Sequence, residues 1–127
     1  MRIEYRLISL LPTCLGNERI RITDDGEVSH SRNTVECERG ERWSASWRTV
    51  GQLDPAAMAV LTGKVVATGL LDLPADSIDE SAQGGKREEI DLTVDGGERH
   101  FVVQNTNPPP FRAVVQLLWG VMFRLES

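Results

Sequence analysis

A helix with a defined beginning and end lies in the middle of this sequence and constrains the fold more than any other feature. Asp54 can cap the first free amide groups, and Pro55 suits the first helical position because it has no amide donor to satisfy. Apolar residues then recur at helical spacing, at Met58, Leu61 and Val65. Gly69 is the natural left-handed terminator, so the helix is predicted to stop there.

Alternating patterns before this helix predict strands. Arg2 to Leu11 begins as a half-buried strand, and Arg19 to His30 reads as a β-hairpin with its turn at Asp24-Asp25-Gly26. Residues 31–40 are compatible with a weak edge strand or with an irregular connection, and the sequence leaves this choice open. Trp43 and Trp47 alternate with small polar residues, which predicts a strand over 43–47 that leads into the helix.

After the helix, a second hairpin can be tested for register. A two-residue turn at Gly96-Gly97 would pair Leu92 with Phe101 and Ile90 with Val103 on one face of the sheet. The segment between Pro74 and Lys86 is polar and acidic, which predicts a long exposed loop.

The last segment follows three consecutive prolines and is apolar on more than one side. One stripe runs through Phe111, Val115, Leu118, Met122 and Leu125. A second stripe lies beside it at Val114, Leu117 and Val121. A sheet covers only one side of a helix, so the central helix or a second subunit is expected to cover the other. A homodimer through the C-terminal helix follows from the second alternative.

These elements predict an α+β fold in a single domain over residues 1–127, with an antiparallel sheet of about five strands and two helices packed on one face. A chain of 127 residues can form a core without metal support. No apolar run is expected to reach the roughly 18 to 20 residues of a membrane span, and the amino terminus lacks a signal-peptide pattern. We therefore expect a cytoplasmic protein that is not membrane-bound.

The net charge of −5 comes from one segment. Residues 72–91 carry seven acidic and two basic side chains, and the remainder of the chain is balanced. Nucleic-acid binding needs a basic stripe that neutralises phosphates, and the sequence shows none. Nucleic acid is therefore not an expected partner.

Four side chains could act as soft metal ligands, namely Cys14, His30, Cys37 and His100. Their spacing matches no zinc motif, so no metal and no cofactor are expected. The cysteines are interpreted as buried or half-buried thiols, and the sequence leaves open whether they pair, because a disulfide would require an oxidising compartment. The histidines are predicted to face solvent. No nucleophile elbow or phosphate-binding glycine loop is present, so no catalytic residues are assigned.

The later part of the chain, roughly residues 50 to 125, resembles the emfourin group of small α+β domains, which inhibit thermolysin-type metalloproteases. The resemblance is carried by Leu70-Leu71-Asp72-Leu73-Pro74 after a helix, by Ile90 to Gly97 after an acidic loop, and by a helix that starts at Pro110-Phe111. It implies a non-catalytic cytoplasmic protein that binds another protein, with a protease as one candidate partner. No site residues are carried over.

The leading functional hypothesis is a non-enzymatic protein-binding domain. The resemblance to the emfourins implies that it is of the protease-inhibitor type. Two regions are predicted to contact the partner: the acidic loop, because loops carry recognition, and the two tryptophans, because tryptophan is a frequent interface anchor. The predicted contact residues are Asp76, Asp79, Glu80, Trp43 and Trp47. The alternative is an enzyme or small-ligand binder with a pocket between sheet and helices, containing His30, His100 or Cys37.

Overall fold

The computed structural model describes residues 1–80 and 85–127. Within these ranges the chain forms seven β-strands, two α-helices and a short 3-10 helix. In order they are β1 (Arg2–Ser9), β2 (Glu18–Ile22), β3 (Glu27–Arg32), β4 (Arg48–Gln52), α1 (Pro55–Ala67), the 3-10 helix (Leu70–Asp72), β5 (Asp76–Ile78), β6 (Lys86–Val94), β7 (Gly97–Gln104) and α2 (Pro109–Glu126). The α+β class is confirmed.

The strands form one mixed sheet in the order β4-β3-β2-β1-β6-β7-β5. All neighbouring pairs are antiparallel except β5 and β7, which are parallel. The sheet is therefore larger than the expected five antiparallel strands. Strand β5 lies within the segment from Pro74 to Lys86 that was predicted to be a loop, and its three residues are too few for a periodic pattern that sequence alone could reveal.

The predicted strand over residues 43–47 is wrong, because β4 begins only at Arg48. The preceding segment is irregular and is held by the buried side chain of Asn33. Its Oδ1 accepts a hydrogen bond from the Ser44 amide at 2.9 Å, and its Nδ2 donates to the carbonyl of Arg42 at 2.8 Å. These bonds satisfy backbone groups that a strand would have used, so the alternation of Trp with Ser is misleading here.

Cys14 and Cys37 form a disulfide, with their Cα atoms 5.8 Å apart, so the predicted free thiols are not observed. The carboxylate of Glu36 supports the pairing because it accepts hydrogen bonds from the Cys14 amide at 2.8 Å and from Thr13 Oγ1 at 2.6 Å. Residues 33–40 thus form an irregular segment tied to the loop after β1, not an edge strand. Disulfides persist in oxidising compartments, whereas the location expected from the sequence is cytoplasmic. That location stays a prediction.

The hairpin of β6 and β7 is confirmed, but its register is shifted by two residues. The turn residues are Asp95 and Gly96, with φ angles of 51° and 76°, and not the predicted Gly96-Gly97. Ile90 consequently pairs with Phe101. Because side chains alternate with a period of two, this shift keeps the predicted apolar residues on the core side. All four are buried: Ile90, Leu92, Phe101 and Val103.

Both helices contribute to one core with the inward-facing strand residues. Asp54 caps α1 as predicted, accepting a hydrogen bond from the Ala57 amide at 2.8 Å, and Gly69 follows the helix with a φ of 84°. The buried residues of α1 are Met58, Leu61 and Val65. Those of α2 are Phe111, Val114, Val115, Leu118, Val121 and Met122. The broad apolar surface of α2 is therefore largely inside this core.

Candidate functional site: a groove between the two helices

Helix α1 is apolar on the side that faces solvent as well as on the side that faces the core. Lys64 is the single charged residue among its thirteen positions. Three residues point into the core, yet Val60 and Val66 on the outside remain 59% and 46% exposed. A surface helix normally carries polar residues on its solvent side. The outer face of α1 is therefore a candidate contact surface.

Helices α1 and α2 run in opposite directions, as contacts at their ends show. A Cβ atom on Gly69, just beyond the end of α1, would lie 4.0 Å from Pro110 at the start of α2. A Cβ atom on Gly51, shortly before α1, would lie 3.1 Å from the Leu125 side chain at the end of α2. The start of α1 is thus near the end of α2.

Between the outer faces of these helices lies an apolar depression of about 760 Å³, here called the interhelical groove. Small side chains give the groove its depth, since they leave the space between two helix backbones open. Its walls include Ala56, Ala57 and Val60 from α1 and Ala113, Leu117 and Gly120 from α2. A volume of this size is within the range of natural binding pockets.

Two cations line the groove. Lys64 belongs to α1 and Arg124 to the last turn of α2, and both side chains are exposed. Neither forms an ion pair with any residue in the described ranges, and the lining contains no aspartate or glutamate. Glu126, the acid nearest to Arg124 in sequence, is bound instead by Arg48. The lining therefore carries two positive charges and no negative charge, on a chain whose net charge is −5.

The predicted contact residues Trp43 and Trp47 lie on the other side of the sheet and are half-buried. Arg19 and Arg21 neighbour core residues along β2, so their side chains point away from the helices. The guanidinium carbon of Arg19 is 4.4 Å from the ring centre of Trp43 and 4.3 Å from that of Trp47. Arg21 is also 4.3 Å from Trp47. These indoles are engaged in an intramolecular stack of cations and rings.

The predicted acidic contact residues are exposed at one edge of the sheet. Asp76 begins the edge strand β5, and the Asp79 amide donates to the carbonyl of Gln104 at 3.0 Å. Glu80 is the last residue before the range 81–84, and that part of the predicted acidic loop lies outside the described residues. Four strand spacings, roughly 19 Å, separate β5 from β2. The acidic residues and the tryptophans therefore do not form one surface.

The histidines are on opposite faces of the sheet. His30 is 7% exposed on the core side, which corrects the expectation that it faces solvent. Arg48 donates to its Nδ1 at 3.1 Å, so its Nε2 carries the proton that is donated to Glu18 at 2.6 Å. His100 is exposed on the outer face and pairs with Asp91. Neither histidine nor Cys37 lines the interhelical groove, so this groove is not the pocket of the enzyme alternative.

The outer face of the sheet also carries a saturated network of charges. Arg6 binds Glu89 at 3.0 Å and Asp91 at 2.6 Å, and it also binds Glu4. Burial alone would raise the pKa of Glu89, but the hydrogen bonds and charges of Arg6 and Arg87 outweigh it and lower that pKa. Each charge has a partner, which is typical of a network that stabilises the fold.

Two further features of the described residues concern metal binding and membrane insertion. No group of three or more potential metal-ligand side chains occurs within residues 1–80 and 85–127. Contrary to expectation, the window Pro55–Asp72 is long and apolar enough, with a mean hydropathy of 1.2, to pass a membrane-span test based on length and composition. Helix α1 itself ends at Ala67, so it is roughly 20 Å long, whereas a bilayer core is about 30 Å thick.

The interhelical groove was not predicted from the sequence, although the composition of α1 contains one signal for it. Among the thirteen residues of α1, only Thr62 and Lys64 have polar side chains, which is too few for a polar outer face. The sequence left open whether the central helix or a second subunit covers the C-terminal helix, so the space between the two helices could not be predicted. No protein-family model matches this chain, and comparison with curated proteins gave no match.

Proposed function

We propose that this protein is a non-enzymatic protein-binding domain whose contact surface is the interhelical groove. The observation that carries the proposal is the apolar outer face of α1, on which Val60 is 59% exposed. Val60 lines the groove and is 59% exposed, so covering it would gain on the order of 1 kcal/mol. A partner that fills the groove gains this energy together with that of covering the small residues of its walls.

A helix of another protein is the occupant that suits the shape of this surface. Two antiparallel helices form parallel walls, and recognition of an amphipathic helix by such a groove is a recurrent mode of protein binding. A flat bilayer would leave the floor of the groove unfilled, and the net charge of −5 opposes approach to an anionic membrane. A helix avoids both costs.

A second copy of this chain is a less favourable occupant, although a homodimer through α2 was considered from the sequence. A symmetric dimer across the groove would place two copies of Lys64 and two of Arg124 around one apolar interface. No acidic side chain lines the groove in the described part of the chain. Like charges in such an interface oppose association, so the proposal commits to a different protein.

A protease remains one candidate partner, because the resemblance to the emfourins implies it. This activity has a direct assay: hydrolysis of a peptide substrate by a thermolysin-type metalloprotease, with and without the purified protein. Inhibition that the groove-filling variant Ala56→Trp abolishes would connect the groove to protease binding. Inhibition that this variant retains would separate the two.

Photo-crosslinking in the native cell tests the proposed surface. Benzoylphenylalanine placed at Val60 is expected to crosslink to a partner protein, whereas the same group at Thr106 serves as an exposed control outside the groove. The captured protein is then purified and its binding to the wild-type domain is measured directly. Substitution Ala56→Trp should abolish that binding, because the indole fills the groove.

The matched control is Ala59→Trp, which adds the same indole to an exposed position of the same helix that does not line the groove. This variant should bind the partner like the wild type. Equal loss of binding in both variants, or crosslinks from Val60 to copies of the same chain alone, would contradict the proposed function.

A further inference from the structure

We propose that the imidazole of His30 controls a pH-sensitive latch that holds the carboxyl-terminal end of α2 against the edge of the sheet. The latch consists of His30 on β3, Arg48 on the edge strand β4 and Glu126, the last residue of α2. It is closed while the imidazole is neutral, and protonation of the imidazole opens it.

The hydrogen bonds of His30 define the closed form. Its Nε2 lies 2.6 Å from Oε2 of Glu18, and its Nδ1 lies 3.1 Å from Nη2 of Arg48. A guanidinium group can only donate hydrogen bonds, so Nδ1 must accept one, and this requires a neutral ring. Because the histidine is buried, water does not readily replace either partner. The contact with Arg48 therefore exists only in the unprotonated state.

The charged groups around this imidazole come from three strands and from α2. Glu18 on β2 favours a positive ring, whereas Arg48 on β4 opposes it. Arg32, two residues further along β3 and exposed, adds a second cation on the same side of that strand. From α2, Trp119 packs its uncharged ring edge-on at 6.1 Å between centroids, and Glu126 bonds to Arg48 and not to the imidazole.

Protonation changes one contact of the ring and preserves the other. A proton on Nδ1 would place two donors and two positive charges face to face at the present distance of 3.1 Å from Arg48. The Arg48 side chain is 55% exposed, so it can turn into solvent. Glu18 stays, because Nε2 donates to it in both forms. Histidine is also the side chain whose charge ordinarily changes between about pH 5 and pH 8.

The departure of Arg48 loosens α2 because of where Glu126 lies. A carboxylate at the carboxyl end of a helix is unfavourable, since it adds negative charge to the negative end of the helix dipole. Arg48 offsets this charge by donating to Oε1 of Glu126 at 2.5 Å. Once the guanidinium is no longer fixed by the imidazole, the two residues form an ordinary exposed ion pair, which contributes little. The last turn of α2 is then expected to fray.

Fraying of this turn would also alter the interhelical groove. Val121 and Arg124, both near this end of α2, line it. Affinity for the partner captured at Val60 is therefore expected to be lower at about pH 5.5 than at about pH 7.5. This consequence rests on the proposed function, whereas the latch itself is measured in the protein alone, so the two can fail separately.

A pH titration of the isotope-labelled full-length protein by NMR tests the latch. The chain has two histidines, so the imidazole signals of His30 and His100 can be followed individually between about pH 8 and pH 5. The Cα chemical shifts of Arg124 and Leu125 report the helical population of the last turn. We expect the frayed population to rise about threefold as the pH falls, with the midpoint of the His30 titration.

Three variants separate the latch from other effects of pH. His30→Gln keeps a neutral side chain at this position and should abolish the transition at the end of α2. His100→Gln is the matched control on the outer face of the sheet and should retain it. Arg48→Met replaces an exposed side chain, so it keeps the test valid if the buried substitution prevents folding. It should abolish the transition and move the His30 midpoint to higher pH, because a repelling cation is removed.

Several results would overturn the proposal. The latch is wrong if His30 stays neutral down to about pH 5, or if it titrates while the end of α2 stays unchanged. A transition that persists in His30→Gln, or that disappears in His100→Gln, would assign the effect to another group. A His30 midpoint that does not rise in Arg48→Met would show that the guanidinium does not oppose protonation. A more helical last turn at acid pH would mean that Glu126 accepts the new proton, and it would refute opening.

Discussion

Nε of Arg6 on β1 donates to a carboxylate oxygen of Glu89 on the neighbouring strand β6 at a distance of 3.0 Å, and Glu89 is only 7% exposed. A buried carboxylate requires a cation or hydrogen-bond donors, because leaving it unpaired is costly. Arg87 provides a second contact at 2.7 Å. This cluster joins β1 to β6 near the centre of the sheet and makes its stability dependent on pH.

We expect Arg6→Met to lower the free energy of unfolding by about 3 kcal/mol at pH 7, because Glu89 would lose its main cationic partner. The pKa of Glu89 is lowered in the folded protein. Its contribution is therefore complete above the unfolded pKa and is lost as the pH falls through the folded pKa. Urea unfolding at pH 7 and pH 3 should show a smaller effect of the substitution at the lower pH.

The exposed Arg2 on the same strand provides the control, since it forms no ion pair with a described residue. Arg2→Met should change the unfolding free energy by less than about 0.5 kcal/mol at both pH values. An effect of Arg6→Met that is independent of pH would indicate lost packing and not lost ion pairing.

The disulfide between Cys14 and Cys37 closes a loop with a sequence separation of 23 residues. The chain-entropy relation predicts that such a crosslink stabilises the fold by about 3 kcal/mol. Reductant should therefore lower the urea midpoint of the wild-type protein. The double variant Cys14→Ala/Cys37→Ala should be less stable than the oxidised wild type and insensitive to reductant. Two reactive thiols in wild-type protein purified without reductant would contradict the pairing.

Trp47 contacts two arginines and Trp43 contacts one, which predicts a difference between two otherwise similar substitutions. We expect Trp47→Ala to destabilise the fold by about 2 kcal/mol and Trp43→Ala by about 1 kcal/mol, from lost cation–π contacts and lost burial. Thermal unfolding measures both. If either tryptophan is instead a partner anchor, its removal will weaken partner binding without lowering the melting temperature.

The cap of α1 gives a prediction with an internal control. Asp54→Ala should destabilise the protein by about 1 kcal/mol, because the Ala57 amide loses its acceptor. Asp54→Ser should restore most of the stability, since serine also caps helices but carries no charge. Equal losses in both variants, measured by urea unfolding, would show that the carboxylate acts through its charge and not through the hydrogen bond.

Much of the secondary structure could be predicted because the relevant signals are local. Asp54 and Gly69 mark the ends of α1 through backbone chemistry that depends on a few neighbouring residues. The core-facing residues of β6 were also predicted correctly, although the predicted register with β7 was wrong. Ile90 faces the core whether it pairs with Val103 or with Phe101, because a two-residue shift preserves the side of the sheet.

The rest depended on contacts between distant parts of the chain. Asn33 fixes the backbone around residue 44, and neither position signals this in the sequence. Cys14 and Cys37 have no spacing motif, so the disulfide becomes apparent only when the loops meet. The groove likewise requires the pairing of α1 with α2. Its chemistry was nevertheless visible in advance as a nearly uncharged helix with Lys64 as its one charge.

The most direct test of the docking surface is a chemical-shift titration of the isotope-labelled protein with the partner protein captured by crosslinking at Val60. If the groove is the contact surface, amide signals of Val60, Leu117 and Gly120 will shift on binding, while that of His100 on the outer face of the sheet will not. Shifts centred on Trp43 and Trp47, or an unchanged spectrum with the partner in excess, would contradict it.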